Sequence, residues 1–312
     1  MLIKGADFLV NGSSSLAKKI NVSNLAIGLT VVAFGTSTPE LIVSVLAGLE
    51  GKNDASFGNI IGSNNFNLMF ILGIAGLIYP LTVQRSTIKY EVPLSILAAV
   101  ILYVLVNDAI LWGTTYDNPA IAGTLSRLDA FIFLLFFGGF MFYIVRTMKN
   151  NSDLDQDTVK IYSSGLSIVY IVAGLAMLIG GGKLVVDNAI EIAQSFGMSE
   201  KLIGLTILAA GTSLPELVTS CVAAYRKNTD IAIGNVIGSN IFNIFFILGI
   251  TGLINPMPYS ASMNFDIYVL IASTIVLMIF MFTINTRKLD RWEAFLLLVG
   301  YITYTAYLIG ID

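Results

Sequence analysis

The chain has 312 residues, 56 % of them hydrophobic and 12 % charged, with a net charge of −3 and a mean hydropathy of +0.82. Soluble domains carry about 25 % charged residues, and soluble domains of ordinary size cannot bury this much apolar surface, so the composition excludes a soluble enzyme, a disordered chain and a basic nucleic-acid binder. A single cysteine excludes a disulfide framework, and the absence of histidine excludes His-based zinc sites, Ser-His-Asp catalysis, His-ligated haem and His proton relays.

A bilayer core about 30 Å thick is crossed by about 20 apolar residues in a helix. Ten such stretches follow one another, at roughly 1–17, 24–49, 57–79, 91–107, 127–148, 162–187, 200–225, 231–254, 264–284 and 291–310. More spans follow the first at once, so it reads as a helix and not as a cleavable signal peptide. The predicted fold is therefore an all-α integral membrane protein. The connections are short and polar. The longest charged one runs from Lys149 to Lys160. Its Asp153, Asp155 and Asp157 have the spacing that opens a calcium loop, but the Gly and Glu such a loop needs at its sixth and twelfth positions are missing, and a solvated linker is expected.

With alternating loops, one side of the membrane collects Lys18, Lys19, Arg85, Lys89, Arg146, Lys149, Lys160, Arg226, Lys227, Arg287, Lys288 and Arg291. The other side holds only Lys52, Arg127 and Lys201. The positive-inside rule makes the rich side cytoplasmic. Both termini then face outward, the linker 149–161 is cytoplasmic, and a prokaryotic inner membrane is the expected location. Trp112, Tyr116, Trp292 and Tyr304 are expected as interfacial anchors. The Phe-rich run 131–142 is expected against lipid or neighbouring helices.

Sliding the chain on itself by 176 positions aligns residues 1–80 with 177–256 without a gap, and 38 of the 80 positions are identical. That is enough to call the halves a repeat. The best-matched blocks are IGLTVVAFGTSTPEL (27–41) with IGLTILAAGTSLPEL (203–217), and GNIIGSNNFNLMFILGIAGLI (58–78) with GNVIGSNIFNIFFILGITGLI (234–254). Five spans separate equivalent points, and an odd number inverts the second copy. The expected organisation is a first inverted repeat at 1–148, the linker at 149–161 and a second repeat at 162–312, with broken helices at the midplane. Apolar residues 164–176 have no counterpart before Met1, so the first helix is expected to be about 12–15 residues shorter than its twin, as from a trimmed or misassigned start.

Each copy places a carboxylate in mid-span, Glu40 in the second span and Glu216 in the seventh. A charge at the centre of a membrane helix costs at least about 2.5 kcal/mol, so such a residue is functional by default. The competing reading is a Glu paired with Lys4 or Lys183, both near helix ends. Pro39 and Pro215 have no N–H to offer the carbonyls of Gly35 and Gly211, so each helix should break there and expose carbonyl oxygens. Thr36, Ser37, Thr212 and Ser213 add hydroxyls. In the partner spans Asn59, Ser63 and Asn67 recur every four residues, as do Asn235, Ser239 and Asn243, which puts each set on one helical face. Ser63, Asn67, Ser239 and Asn243 are expected as ligands, and Asn59, Asn64, Asn235 and Asn240 as helix glue. An all-oxygen cage suits hard cations, above all calcium and sodium. Two carboxylates neutralise one Ca²⁺, whereas three Na⁺ would leave one positive charge. Asp7 and Lys183, equivalent in the repeat, could join a gate, though snorkelling at the membrane ends explains them more simply.

GTSTPE with GNIIGSNNFN, and GTSLPE with GNVIGSNIFN, resemble the paired motifs of the calcium/cation antiporter superfamily, most closely prokaryotic sodium/calcium exchangers. The resemblance spans nearly the whole chain. It implies four central helices around one cluster of cation sites, with Glu40 and Glu216 ligating Ca²⁺ and Na⁺ alternately. It also implies oxygens from Thr36, Ser37, Thr212, Ser213, Ser63, Asn67, Ser239 and Asn243, and backbone carbonyls of Ala33 and Ala209. It implies a first and sixth helix that slide across this core, an exchange of three Na⁺ for one Ca²⁺, and no organic cofactor or obligate protein partner. Some relatives carry Asp where this chain has Asn243, which speaks against potassium cotransport here. Acids in GTSxPE, in place of a GN-x-x-E pattern, speak against proton coupling. The rival readings are proton/calcium or other cation exchange, a cation channel, and an intramembrane hydrolase with two acids. The inverted repeat favours alternating access over a channel, and the hydroxyl and amide shell has no catalytic role to fill.

Overall fold

The computed structural model describes residues 1–147, 161–195, 209–283 and 286–311. The linker 149–160, with its aspartates, and residues 200–208 of the expected seventh span lie outside that set. The helices are α1 (Leu2–Lys19), α2 (Asn24–Thr36), α3 (Thr38–Leu49), α4 (Asn53–Ile78), α5 (Thr87–Leu105), α6 (Asp108–Trp112), α7 (Arg127–Thr147), α8 (Ser164–Ser195), α9 (Ala209–Thr212), α10 (Leu214–Tyr225), α11 (Thr229–Ile254), α12 (Ala261–Phe280) and α13 (Arg291–Ile311). Among the described residues seven helices are long and apolar enough to cross a membrane, or eight with α2 and α3 counted as one bent span. α1 is not among them, since Lys4, Asp7, Lys18 and Lys19 fall within its 18 residues. α8 has 32 residues, so the two equivalent helices differ in length as the repeat predicts.

The α4 and α11 helices form the centre. In each, 78 % of the most apolar stretch is buried, against 17 to 39 % in the other long spans, which turn their apolar faces outward. Side-chain caps start two of the helices, with Ser23 Oγ accepting from Ala26 N (3.1 Å) ahead of α2 and Asn228 Oδ1 accepting from Ile231 N (3.2 Å) in α11. α2 and α3 meet at 48°, at Ser37 (φ −79°, ψ 8°). The break sits between Gly35 and Pro39, and Pro39 opens the first turn of α3, where its missing N–H costs nothing. Ser213 (φ −88°, ψ 9°) separates α9 from α10 in the same way.

The expectation of an all-α chain needs one addition. Strands β1 (Leu81–Thr82) and β4 (Lys288–Leu289) pair antiparallel, as do β2 (Ile121–Leu125) and β3 (Met257–Ser260). Chain crossing between spans must still pair its backbone N–H and C=O groups, and these ribbons do so by joining loops distant in sequence. Trp112 and Trp292 are exposed. Tyr304 departs from the expectation of an interfacial anchor, because its hydroxyl reaches inward to Asp266 Oδ1 (2.6 Å).

α1 lies against α8 backbone to backbone. A Cβ added to Gly12 would stand 2.7 Å from Ser167 O, and one added to Gly174 would stand 2.7 Å from both Gly5 O and Leu9 N. Small residues permit this approach in helix pairs within lipid. Toward the core, α1 is held by polar ties to the α10–α11 turn: Arg226 to Asp7 (2.6 Å), Arg226 to Asn11, and Asn228 Nδ2 to Ser14 Oγ (3.0 Å). Asp7 thus pairs with Arg226 and not with Lys183, which is exposed. Gly174→Ala should lower stability by about 1–3 kcal/mol through overpacking. Gly165→Ala, with nothing within 4 Å, should not lower it; thermal melts of the two variants in detergent make the comparison.

Candidate cation site

Glu40 and Glu216 are each 1 % exposed. Glu40 lies in the first turn of α3 and Glu216 in the first turn of α10. The competing assignment of Lys4 and Lys183 as their counter-charges fails, because both lysines are exposed and, among the described residues, neither carboxylate makes an ion pair.

The donors to each carboxylate come largely from the other half of the chain. Ser213 Oγ donates to Glu40 Oε1 (2.9 Å), and Ser63 Oγ lies 3.0 Å from Ser213 Oγ and 3.5 Å from Glu40 Oε1. Ser37 Oγ donates to Glu216 Oε1 (2.9 Å). The breaks that expose Ser37 and Ser213 therefore solvate the opposite carboxylate. In both glutamates Oε1 is bonded and Oε2, though buried, has no hydrogen-bond partner.

Asn59 and Asn235 brace the backbones that carry the acids. Asn59 Nδ2 donates to Glu40 O (3.3 Å) and Ser44 Oγ (2.9 Å), while its Oδ1 accepts from Thr212 Oγ1 (3.2 Å). Asn235 Nδ2 donates to Glu216 O (3.3 Å) and Ser220 Oγ (2.9 Å), while its Oδ1 accepts from Thr36 Oγ1 (3.0 Å). Sequence reasoning passed over Ser44 and Ser220 as part of this set. Both stand four residues after the glutamates and match at the 176 offset, so the repeat itself carried their signal.

Asn64 and Asn240 clamp α4 to α11. Each Nδ2 donates to the other's main-chain oxygen at 3.2 Å. Their Oδ1 atoms accept from the next pair of amides, Asn67 Nδ2 onto Asn240 Oδ1 (3.0 Å) and Asn243 Nδ2 onto Asn64 Oδ1 (2.8 Å). These bonds fix which way the Asn67 and Asn243 amides point, because a flipped amide would set oxygen against oxygen. The Oδ1 atoms of Asn67 and Asn243 are left buried and without a partner. Both residues sit in π-helical turns, Phe66–Ile71 and Phe242–Leu248, a local form frequent at functional sites.

The expected site residues thus converge. Glu40, Ser63, Ser213 and Thr212 gather on one side, Glu216, Ser37 and Thr36 on the other, and Asn67 and Asn243 are joined through the asparagine clamp. Ser239 is fully buried with an unpartnered Oγ. The Ala33 carbonyl already accepts from Ser37 N (3.0 Å) and has Thr36 Oγ1 at 3.3 Å, and Ala209 opens the described part of α9. What the arrangement offers a ligand is oxygen: two carboxylate Oε2 atoms, two amide Oδ1 atoms and a hydroxyl, all buried and lacking donors. Among the described residues no group of three or more Asp, Glu, His or Cys accompanies them. Such a set suits a hard cation.

The family profile described as "Sodium/calcium exchanger protein" matches residues 1–146 and 166–310. A "Putative antiporter CaxA" of Alkalimonas amylolytica is 37 % identical, over 97 % of this chain and 94 % of that protein. "Sodium/calcium exchanger MaX1" of Methanosarcina acetivorans is 31 % identical, over 98 % and 95 %. The solved structure of the sodium-calcium exchanger NCX_Mj soaked with 10 mM Na⁺ and 10 mM Sr²⁺ superposes with a TM-score of 0.81 at 32 % identity, covering 98 % of this chain and 94 % of that one.

Removing either clamp residue strands buried polar groups, which costs about 1–3 kcal/mol. Asn64→Ala and Asn240→Ala should each lower stability by that amount. Because they break one shared network, the double variant should cost less than the sum of the two by at least about 0.5 kcal/mol. Denaturation of the three variants in detergent measures the coupling.

Proposed function

The chain belongs to the sodium/calcium exchanger protein family, and on that premise we propose that it is a secondary antiporter exchanging Na⁺ for Ca²⁺, three for one, by alternating access. The observation that carries this reading is a pair of buried carboxylates, one from each half of the chain, each with an unpartnered Oε2. Beside them lie the open oxygens of Asn67, Asn243 and Ser239. Together with Thr36, Ser37, Thr212, Ser213, Ser63 and the carbonyls of Ala33 and Ala209, they form the cation site.

Charge sets the coupling. One Ca²⁺ neutralises the two carboxylates, whereas three Na⁺ leave one positive charge, so each cycle moves charge across the membrane. Position 243 is an amide and cannot ionise, which keeps the site at two acids and supports sodium over potassium-dependent or proton exchange. Ten spans in two inverted halves, with both termini outside and the linker 149–161 in the cytoplasm of a prokaryotic inner membrane, complete the topology. Na⁺ and Ca²⁺ are its substrates, and no organic cofactor, nucleic acid or obligate protein partner takes part. α1 and α8, joined backbone to backbone, move as one body past the clamped centre and open one side or the other.

Truncating one partner of a buried charge pair weakens binding by about 2–5 kcal/mol, and each glutamate is such a partner to a bound Ca²⁺. Glu40→Gln and Glu216→Gln in proteoliposomes should therefore each lose Na⁺-driven ⁴⁵Ca²⁺ uptake by about a hundredfold while melting as a folded protein. Near-normal uptake by either variant would refute the site. Setting the membrane potential with a K⁺ gradient and valinomycin should change the exchange rate, and a rate indifferent to voltage would sink the three-for-one coupling.

A further inference from the structure

A cationic hollow lies where the loops after α4 and after α12 meet. The β1–β4 ribbon, with Leu81 opposite Leu289 and Thr82 opposite Lys288, brings Arg287 beside the chain that leads into α5. Arg287 is fixed at both backbone atoms: its O accepts from Val83 N (2.8 Å), and its N donates to Met281 O (2.8 Å). Its φ of 65° is a left-handed conformation that is uncommon outside glycine. The result is a cavity of about 620 Å³ lined by Arg85, Lys89 and Arg287 over an apolar floor that includes Ile88, Met278 and Phe282.

These three cations are exposed. Among the described residues none pairs with a carboxylate. The acids close by in sequence are committed elsewhere: Asp290 to Lys288 (3.0 Å), Glu91 to the hydroxyl of Tyr143 (2.6 Å), and Glu293 to Thr283 and to Asp290 N (2.7 Å). Cations held close together without a counter-charge repel one another and attract a small anion. A second hollow of about 560 Å³ continues from the first, sharing Lys89 and Pro93. It runs between α5 and α7 along Leu94, Leu97, Leu135 and Phe136. Leu97, Leu135 and Phe136 are exposed on this outward face.

We propose that Arg85, Lys89 and Arg287, with the apolar hollow running between α5 and α7, form a binding site for an anionic phospholipid. Its phosphate sits among the three cations and an acyl chain lies along Leu94, Leu97, Leu135 and Phe136. Guanidinium groups suit phosphate oxygens by bidentate hydrogen bonding. Basic hollows between membrane helices hold anionic headgroups in this manner. The apolar floor and the groove that leaves it favour a lipid over a free phosphate, which would gain nothing from Ile88, Met278 or Phe282. The bound lipid bridges α5, α7, α12 and the loop before α13. A molecule that binds only the folded state stabilises it.

The test uses the purified full chain, delipidated in detergent, with thermal melting and native mass spectrometry. Phosphatidylglycerol should raise the melting temperature and remain bound, phosphatidylcholine with the same acyl chains should do so far less, and inorganic phosphate should do neither. Replacing the three cations together, with Arg85→Gln, Lys89→Gln and Arg287→Gln, should weaken phosphatidylglycerol binding about 10- to 100-fold and leave melting in phosphatidylcholine unchanged. Lys227→Gln should keep the wild-type preference. Equal effects of the two lipids on the wild type, or a triple variant that still prefers phosphatidylglycerol, overturn the proposal. Inorganic phosphate reproducing the shift overturns the lipid assignment. If the triple variant does not fold, Phe282→Trp leaves the charges in place. Its added fluorescence should then be quenched by brominated phosphatidylglycerol and spared by brominated phosphatidylcholine, and equal quenching by the two overturns the proposal.

Discussion

Two carboxylates buried in the middle of a membrane protein, with no ion pair to a lysine or arginine among the described residues, are the constraint from which the rest of the centre follows. Ions taken out of water need other dipoles in its place. Here Ser213 serves Glu40 and Ser37 serves Glu216, and each serine is free to turn inward because the helix is broken at that residue. The break, the crossing of the two halves and the burial of the acids are one arrangement. A straight helix would point Ser37 elsewhere, and separated halves would strand both glutamates.

The asparagines solve the next problem, which is to hold oxygens in place without filling them. An amide brings two donors and an acceptor, so it can spend its N–H groups on structure and keep its oxygen. Asn67 and Asn243 do this against Asn240 and Asn64. Asn59 and Asn235 use both ends of the amide, gripping the main chain of each glutamate with one and a threonine of the opposite half with the other. Ten residues of six helical segments are thereby tied into a lattice in which the remaining bare acceptors share one region. A ligand set pre-arranged in this way need not be ordered again for each ion that enters.

Much of this was legible in the sequence, and what was not has physical reasons. The breaks follow from Gly35 and Pro39 and from Gly211 and Pro215, since a missing N–H and a missing Cβ act locally. Identical polar blocks at a fixed offset pointed to the paired acids and their amides. Asn59, Asn64, Asn235 and Asn240 do spend their amides on helix contacts, while Asn67 and Asn243 keep an open Oδ1, a difference that spacing by four, which puts Asn59 on the face of Asn67, does not encode. The two β ribbons were invisible, since strands of two to five residues carry no periodicity and their partners lie more than a hundred residues away. Tyr304 was read as an anchor, but its hydroxyl is committed to Asp266 on another helix. Asp7 was read as snorkelling at a membrane end or joining a gate with Lys183, whereas its carboxylate pairs with Arg226.

The kinds of contact also divide the molecule. The centre is joined by directed hydrogen bonds between side chains, which hold only in one register. α1 and α8 meet each other along glycines, where backbone touches backbone, and α1 meets the centre through the few polar ties at Arg226 and Asn228. Leu175 of α8 occupies the space that a Cβ at Gly35 would need, and Val186 the space beside Gly211, so one helix covers both breaks with apolar side chains. Such contacts slide at lower cost than a hydrogen-bonded lattice reorganises, because dispersion is non-directional and a broken buried hydrogen bond is not. A motion that must leave the ion's oxygens fixed therefore has one natural seam, between the α1–α8 pair and the clamped centre. α8, at that seam, lies over the two turns where the carboxylates receive their donors.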